Sequence, residues 1–203
     1  MYHCFQNQRM NYLAHLYLSQ NNKPILIGNF IADAVKGKNY QTFAPEIQKG
    51  IILHRFIDSY TDTHPLVKKS KHLLHERYKH FDGVIIDIFY DHFLAKNWAA
   101  YSEIPLAIYS KSIYQFLNGK SAVFPAKMQQ ILQYMTQYNW LEMYATKEGI
   151  ERVLTGMNKR TQGKSQMHLA IEDLNLHYKE LENNFTLFIV DLIKFTNEKL
   201  ATL

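Results

Sequence analysis

The chain has 203 residues, 47% hydrophobic and 14% aromatic, with only 8 Gly and 5 Pro; that is enough apolar mass for one domain with a sizeable core and too few turn residues for an all-β protein. Its single cysteine, Cys4, excludes an internal disulfide framework and any cysteine-based zinc site. A net charge of +5 favours an acidic partner or substrate without choosing among nucleic acid, protein and membrane surface.

Met1 to Arg9 are polar and lack periodicity, and a second methionine, Met10, stands where patterned sequence begins. They are read as an extra segment, either an upstream start or a non-native addition, and as a frayed terminus in which His3 and Cys4 carry little weight as ligands. From Met10 onward the apolar spacing is helical. Residues 11–19 predict a short first helix, and Asn21 to Pro24 a turn. Residues 25–35 are apolar with Gly28-Asn29 inside, which implies a close backbone approach or a loop entering a helix. A basic connection over 36–43 leads to Pro45, which opens a helix to about residue 60. Thr63-His64-Pro65 breaks it, and 65–78 reads as an exposed basic helix with Asp62 as its expected cap. Asp82 can cap the next helix, reaching about residue 101. Further helices are expected over 105–117, 125–138 and 147–159. Residues 167–200 form one long helix or two, with a hinge near Asn183-Asn184. The result is a single all-α domain over 10–203, of about eight to ten helices. No apolar run approaches the roughly 20 residues of a membrane span, and the N-terminus lacks a secretory h-region. A soluble cytoplasmic protein is expected.

Two segments carry the chemistry: His54-Arg55-Phe56-Ile57-Asp58 and Asp87-Ile88-Phe89-Tyr90-Asp91-His92. Each follows an apolar run, Ile51-Ile52-Leu53 and Val84-Ile85-Ile86 respectively. Each repeats ligand-type side chains four apart, which stacks them on one helical face. Buried His and Asp need partners, because unpaired buried charge is costly. A divalent cation would supply one, and imidazole with carboxylate suits Mn²⁺, Fe²⁺, Zn²⁺ or Mg²⁺. The competing reading pairs Asp58 and Asp91 with Arg55, Arg77 or Lys96 and leaves the histidines as core filler. His15 lies in an apolar setting where a lone histidine is more often a hydrogen-bonded core residue. Asp33 is acidic on an apolar stretch, which implies an inward partner. Arg55 points about 100° around the helix from His54, placed for a phosphate or for an ion pair. Lys68, Lys69 and Lys71 make either a solvated face or a dock for an acidic protein. There is no Walker A motif, dinucleotide fingerprint, His-Glu-x-x-His or Gly-x-Ser-x-Gly. The scattered basic residues and dispersed tyrosines argue against a nucleic-acid binder.

Five motifs carry a resemblance: Met10-Asn11-Tyr12-Leu13-Ala14-His15-Leu16, Gly28-Asn29-Phe30-Ile31-Ala32-Asp33, His54-Arg55-Phe56-Ile57-Asp58-Ser59-Tyr60-Thr61-Asp62, Asp87-Ile88-Phe89-Tyr90-Asp91-His92-Phe93-Leu94 and Gly156-Met157-Asn158. In this order the chain resembles the bacterial acyl carrier protein phosphodiesterases, regarded as divergent all-helical relatives of the HD-type phosphohydrolases. The resemblance implies hydrolysis of the phosphodiester joining 4′-phosphopantetheine to a serine of holo-acyl carrier protein, typically with Mn²⁺. It places His15, Asp33, His54, Asp58, Asp87, Asp91 and His92 in the site without dividing the labour. The expected assignment is His15, Asp33, His54, Asp91 and His92 to metal, and Asp58, Asp87 and Arg55 to catalysis. Lys68, Lys69, Lys71 and Arg160 would dock the acidic carrier protein. Lys159-Arg160-Thr161 departs from a more Arg-rich stretch in the family, which weakens that role for Arg160. The alternatives are an HD-type hydrolase of nucleotides or other small phosphodiesters, and a non-catalytic helical module binding an acidic protein.

Overall fold

Prolines set several helix starts in the computed structural model, which describes residues 12–203; the reading of residues 1–9 lies outside them. After the short α1 (Tyr12–Tyr17), α2 (Lys23–Ile31), α3 (Pro45–Thr63) and α4 (Pro65–Tyr78) each carry proline in the first turn, where its missing N–H costs no intrahelical bond. Asn22 caps α2 by accepting from Ile25 N at 3.3 Å. The expected cap of α4 is corrected: His64 Nδ1 accepts from Leu66 N at 3.3 Å, and Asp62 instead pairs with Lys71 Nζ at 2.9 Å. Asp82 opens α5 (Asp82–Lys96) from inside its first turn and takes His75 Nδ1 at 2.7 Å, so it does not cap α5 through a backbone bond of its own.

Seven helices complete the order: α5, then α6 (Leu106–Asn118), α7 (Ala126–Gln137), α8 (Trp140–Met143), α9 (Lys147–Arg160), α10 (Ala170–Leu176) and α11 (Tyr178–Thr202). Short 3₁₀ turns join several of them, and no strand occurs among the described residues. The all-α single domain matches the expectation. α5 stops at Lys96, short of 101, because the following turn buries Trp98, whose Nε1 donates to Ile104 O at 2.7 Å. The four-residue α8 has no apolar period long enough to read in sequence. The C-terminal segment divides at His177 and not at Asn183-Asn184. Asn184 is buried inside α11, where its Nδ2 donates to Ser70 Oγ at 3.1 Å, and that hydroxyl bonds Tyr90 Oη at 2.9 Å.

α5 is the central helix, buried without interruption from Ile85 to Ala95, as a helix apolar all round must be. α1, α4, α9 and α11 pack around it. α2 and α3 cross elsewhere in backbone contact, at two facing glycines. A Cβ on Gly28 would sit 2.1 Å from Ile47 O, and one on Gly50 2.2 Å from Ile25 O. Only glycine permits that approach, and it presses Asn29 against the turn of α3 that carries His54. No described helix is long and apolar enough to cross a membrane.

Candidate metal centre

His15 on α1 and His54 on α3 are both buried, and their rings stack with centroids 4.0 Å apart and planes 20° from parallel. Asn29 on α2 holds them. Its Nδ2 donates to His15 O at 2.7 Å and to Ser19 Oγ at 3.1 Å, while Ser19 Oγ donates to His15 O at 2.9 Å. A carbonyl can only accept, so this network fixes the amide, and Oδ1 must face the two rings. His15 Nδ1 lies 2.8 Å from Oδ1; His54 Nδ1 lies 3.0 Å from Oδ1 and 3.0 Å from Asn29 O. Both Nδ1 atoms are therefore donors, and both rings turn Nε2 the other way.

The Nε2 atoms meet carboxylates. His15 Nε2 lies 3.2 Å from Asp58 Oδ1, and His54 Nε2 lies 3.5 Å from both Asp58 Oδ2 and Asp33 Oδ1. Asp58 is one turn beyond His54 on α3, as the four-residue spacing predicts. The Asp33 and Asp58 side chains are 16% and 22% exposed against 3% and 7% for the histidines, so solvent reaches the cluster at its acidic edge. Burial is the strongest influence on His54 and lowers its pKa, but hydrogen bonds and charge from Asp33 and Asp58 outweigh it and raise the pKa to about 9. Burial, then the neighbouring His54, hold His15 below its ordinary value against the opposing pull of Asp58. Asp58 is pushed up by burial but drawn further down by His15 and His54, and ends below the usual carboxylate range.

These residues fit a divalent cation. His15 Nε2 is buried and makes no aligned hydrogen bond despite its 3.2 Å approach to Asp58, an exception that calls for a partner. Ligating histidines characteristically tie down their other nitrogen, as Asn29 does here twice. Among the described residues, His15, His54 and Asp58 form the group whose ligand atoms all lie within 4.8 Å of one another. Asp33 adjoins that group through His54.

The remaining expected site residues make the following contacts. Asp91 accepts Leu13 N and Ala14 N at 2.9 Å each, one per carboxylate oxygen. Burial raises its pKa above the ordinary value, while those two amides pull it down. His92 donates Nδ1–H to Tyr144 O at 2.7 Å and accepts from Tyr178 Oη at 2.9 Å, so both its nitrogens are engaged. Asp87 is buried one turn before Asp91 on α5. Arg55 Nη2 donates to Val35 O at 2.9 Å, and its guanidinium lies 5.2 Å from the centre of the Tyr40 ring; this ties it to the segment carrying Asp33. Among the described residues, Arg77 engages Asp173 at 3.1 Å and Lys96 engages Glu182 at 3.0 Å, and neither pairs with Asp58 or Asp91. On α4, Lys68 is exposed, Lys69 pairs with Glu180 at 3.0 Å and Lys71 with Asp62 at 2.9 Å. The half-buried Arg160 lies 5.8 Å from the centre of the Trp140 ring. Asn29 had no role assigned from sequence; the available signal was a polar amide inside an apolar run, which must bury and be satisfied.

Fold and cluster together define an all-α protein whose two buried histidines and adjoining aspartate could hold a metal ion. A family model described as acyl carrier protein phosphodiesterase matches residues 10–192. An acyl carrier protein phosphodiesterase of Yersinia enterocolitica is 32% identical over 94% of this chain and 99% of that protein. Those of an Enterobacter species and of Photorhabdus laumondii are each 33% identical over 88% of the chain, covering 93% and 91% of their own lengths. The chain belongs to the acyl carrier protein phosphodiesterase family and is an enzyme of that type. No solved structure matches it significantly.

Proposed function

We propose that this enzyme hydrolyses the phosphodiester between 4′-phosphopantetheine and the carrier serine of holo-acyl carrier protein, giving apo-carrier, with a divalent cation, Mn²⁺ by family resemblance, held by His15 Nε2, His54 Nε2 and Asp58. One observation carries the reading: two buried imidazoles, locked by one amide, aim their second nitrogens at one carboxylate. A phosphodiester is anionic and resists hydroxide. A bound cation would neutralise that charge, acidify a water and stabilise the leaving oxygen. The oxygen of water bonds to phosphorus, and the bond from phosphorus to the serine oxygen breaks. Water gives up a proton, and the serine oxygen gains one. Asp33, at the solvent edge and 3.5 Å from His54, is the carboxylate assigned to take water's proton. Arg55, on the next face of α3, is assigned to a non-bridging phosphate oxygen. The α4 lysines would steer the acidic carrier, and two of the three do so against their own carboxylate partners.

The test is direct. Purified enzyme is incubated with holo-carrier protein and Mn²⁺, and the carrier is weighed by mass spectrometry. Loss of the whole prosthetic group, abolished in His54→Ala and in metal-chelated enzyme, is expected. An intact carrier alongside turnover of free nucleotides would reject the substrate.

A further inference from the structure

We infer that Asp91 is a positioning residue that caps α1 from a neighbouring helix and thereby sets His15 in the cluster, without touching the cation itself. The inference rests on the metal-site reading above for its consequence, but its structural content stands apart from it.

α1 spans six described residues, Tyr12–Tyr17. A helix this short cannot hold itself in water, because nucleation is not repaid over so few bonds. Its first turn contains no acidic side chain to meet the exposed amides. Asp91 supplies that group from α5: both oxygens are used, Oδ2 by Leu13 N and Oδ1 by Ala14 N, each at 2.9 Å. The carboxylate is fully buried, at 0% exposure, in the middle of the most buried helix of the fold. His15 follows Ala14 directly. Its own carbonyl is held from the other side by Asn29 Nδ2 and Ser19 Oγ. α1 is thus held at its first amides by Asp91 of α5 and at the His15 carbonyl by Asn29 of α2 and by Ser19, and these two attachments set the His15 side chain. Turning Asp91 toward a cation would strip two buried amides of their acceptor, a penalty that this arrangement avoids. His54 lies on α3 and owes its position to Asn29 and the glycine crossing, so loss of Asp91 should disturb one histidine and spare the other.

Hydrogen exchange of the Leu13 and Ala14 amides, followed by NMR in wild-type protein with and without Zn²⁺ as a diamagnetic probe, separates cap from ligand. Protection of both amides that persists when Zn²⁺ is added is expected. Deprotection on adding Zn²⁺ would show Asp91 turning to the ion and would overturn the inference. In Asp91→Asn, one of the two amides should exchange at least about tenfold faster, since one bond becomes a donor–donor contact. The His15 ring resonances should shift while those of His54 hold. On the holo-carrier, kcat should fall with little change in KM. Unchanged His15 resonances in a folded Asp91→Asn protein would also overturn it. The wild-type comparison decides between cap and ligand even if that variant does not fold. It reads the metal-free protein and Zn²⁺ alone, so it stands whether or not the carrier proves to be the substrate.

Discussion

Replacing Asn29 by alanine removes the one side chain that touches both histidines. His15 Nδ1 loses its 2.8 Å acceptor, whereas His54 Nδ1 keeps Asn29 O at 3.0 Å and His15 O keeps Ser19 Oγ at 2.9 Å. One buried donor is therefore left without a partner, which costs about 1–3 kcal/mol. For a chain of this size that lowers Tm by roughly 2–12 °C. The larger effect falls on the metal. With Nδ1 no longer held, His15 is free to place its proton on Nε2 and to rotate, and loss of such an outer partner typically lowers metal affinity about 10–100-fold. Thermal unfolding by circular dichroism and Mn²⁺ calorimetry read the two effects separately, and ¹⁵N spectra of the imidazoles read the tautomer. Asn29→Asp keeps an acceptor for both rings and should bind Mn²⁺ better than Asn29→Ala. If Asn29→Ala binds Mn²⁺ within about threefold of wild type with an unchanged Tm, the locking argument is refuted.

In metal-free enzyme His54 is raised from 6.5 to about 9, so its stabilising contribution is complete below about 6.5 and fades as pH rises through about 9. Asp58 is lowered from 3.8, so its contribution is present above 3.8 and fades as pH falls through the depressed value; His15, also lowered, opposes folding below 6.5. Urea titrations of chelated protein should accordingly lose stability on the alkaline side in wild type and much less in Asp58→Asn. Mn²⁺ must displace the His54 proton, so calorimetry near pH 7.5 in buffers of different ionisation enthalpy should show about one proton released per ion; no release would contradict the cluster. Gly28→Ala places a methyl 2.1 Å from Ile47 O and should cost about 3 kcal/mol or prevent folding, because backbone cannot yield as a flexible side chain does; wild-type unfolding free energy would refute the crossing. Reversing Lys68, Lys69 and Lys71 to Glu should raise KM for carrier protein and weaken its salt dependence, while leaving turnover of a short phosphopantetheinyl mimic unchanged. Equal losses on both substrates would show the face to be structural.

The helices were legible because their apolar spacing and proline starts are local signals. Pro65 and Tyr78 bound α4 as the sequence implies. His54 and Asp58 were legible for the same reason, since the four-residue spacing forces them onto one face. What local pattern cannot show is which helix meets which. The Asp87/Asp91/His92 segment has the same ligand-like period, yet Asp91 faces the start of α1 and His92 faces Tyr144 and Tyr178. Asn29 gained its role only through the backbone contact of Gly28 with α3. The same limit hid the division at His177, because Asn184 looked like a hinge and is instead a buried contact to Ser70.

In the proposed mechanism His15, His54 and Asp58 hold the cation. Anomalous scattering from crystals grown with Mn²⁺ tests it most directly. A manganese peak within bonding distance of His15 Nε2, His54 Nε2 and an Asp58 oxygen is the predicted result. A peak bounded instead by Asp87, Asp91 and His92 would contradict it.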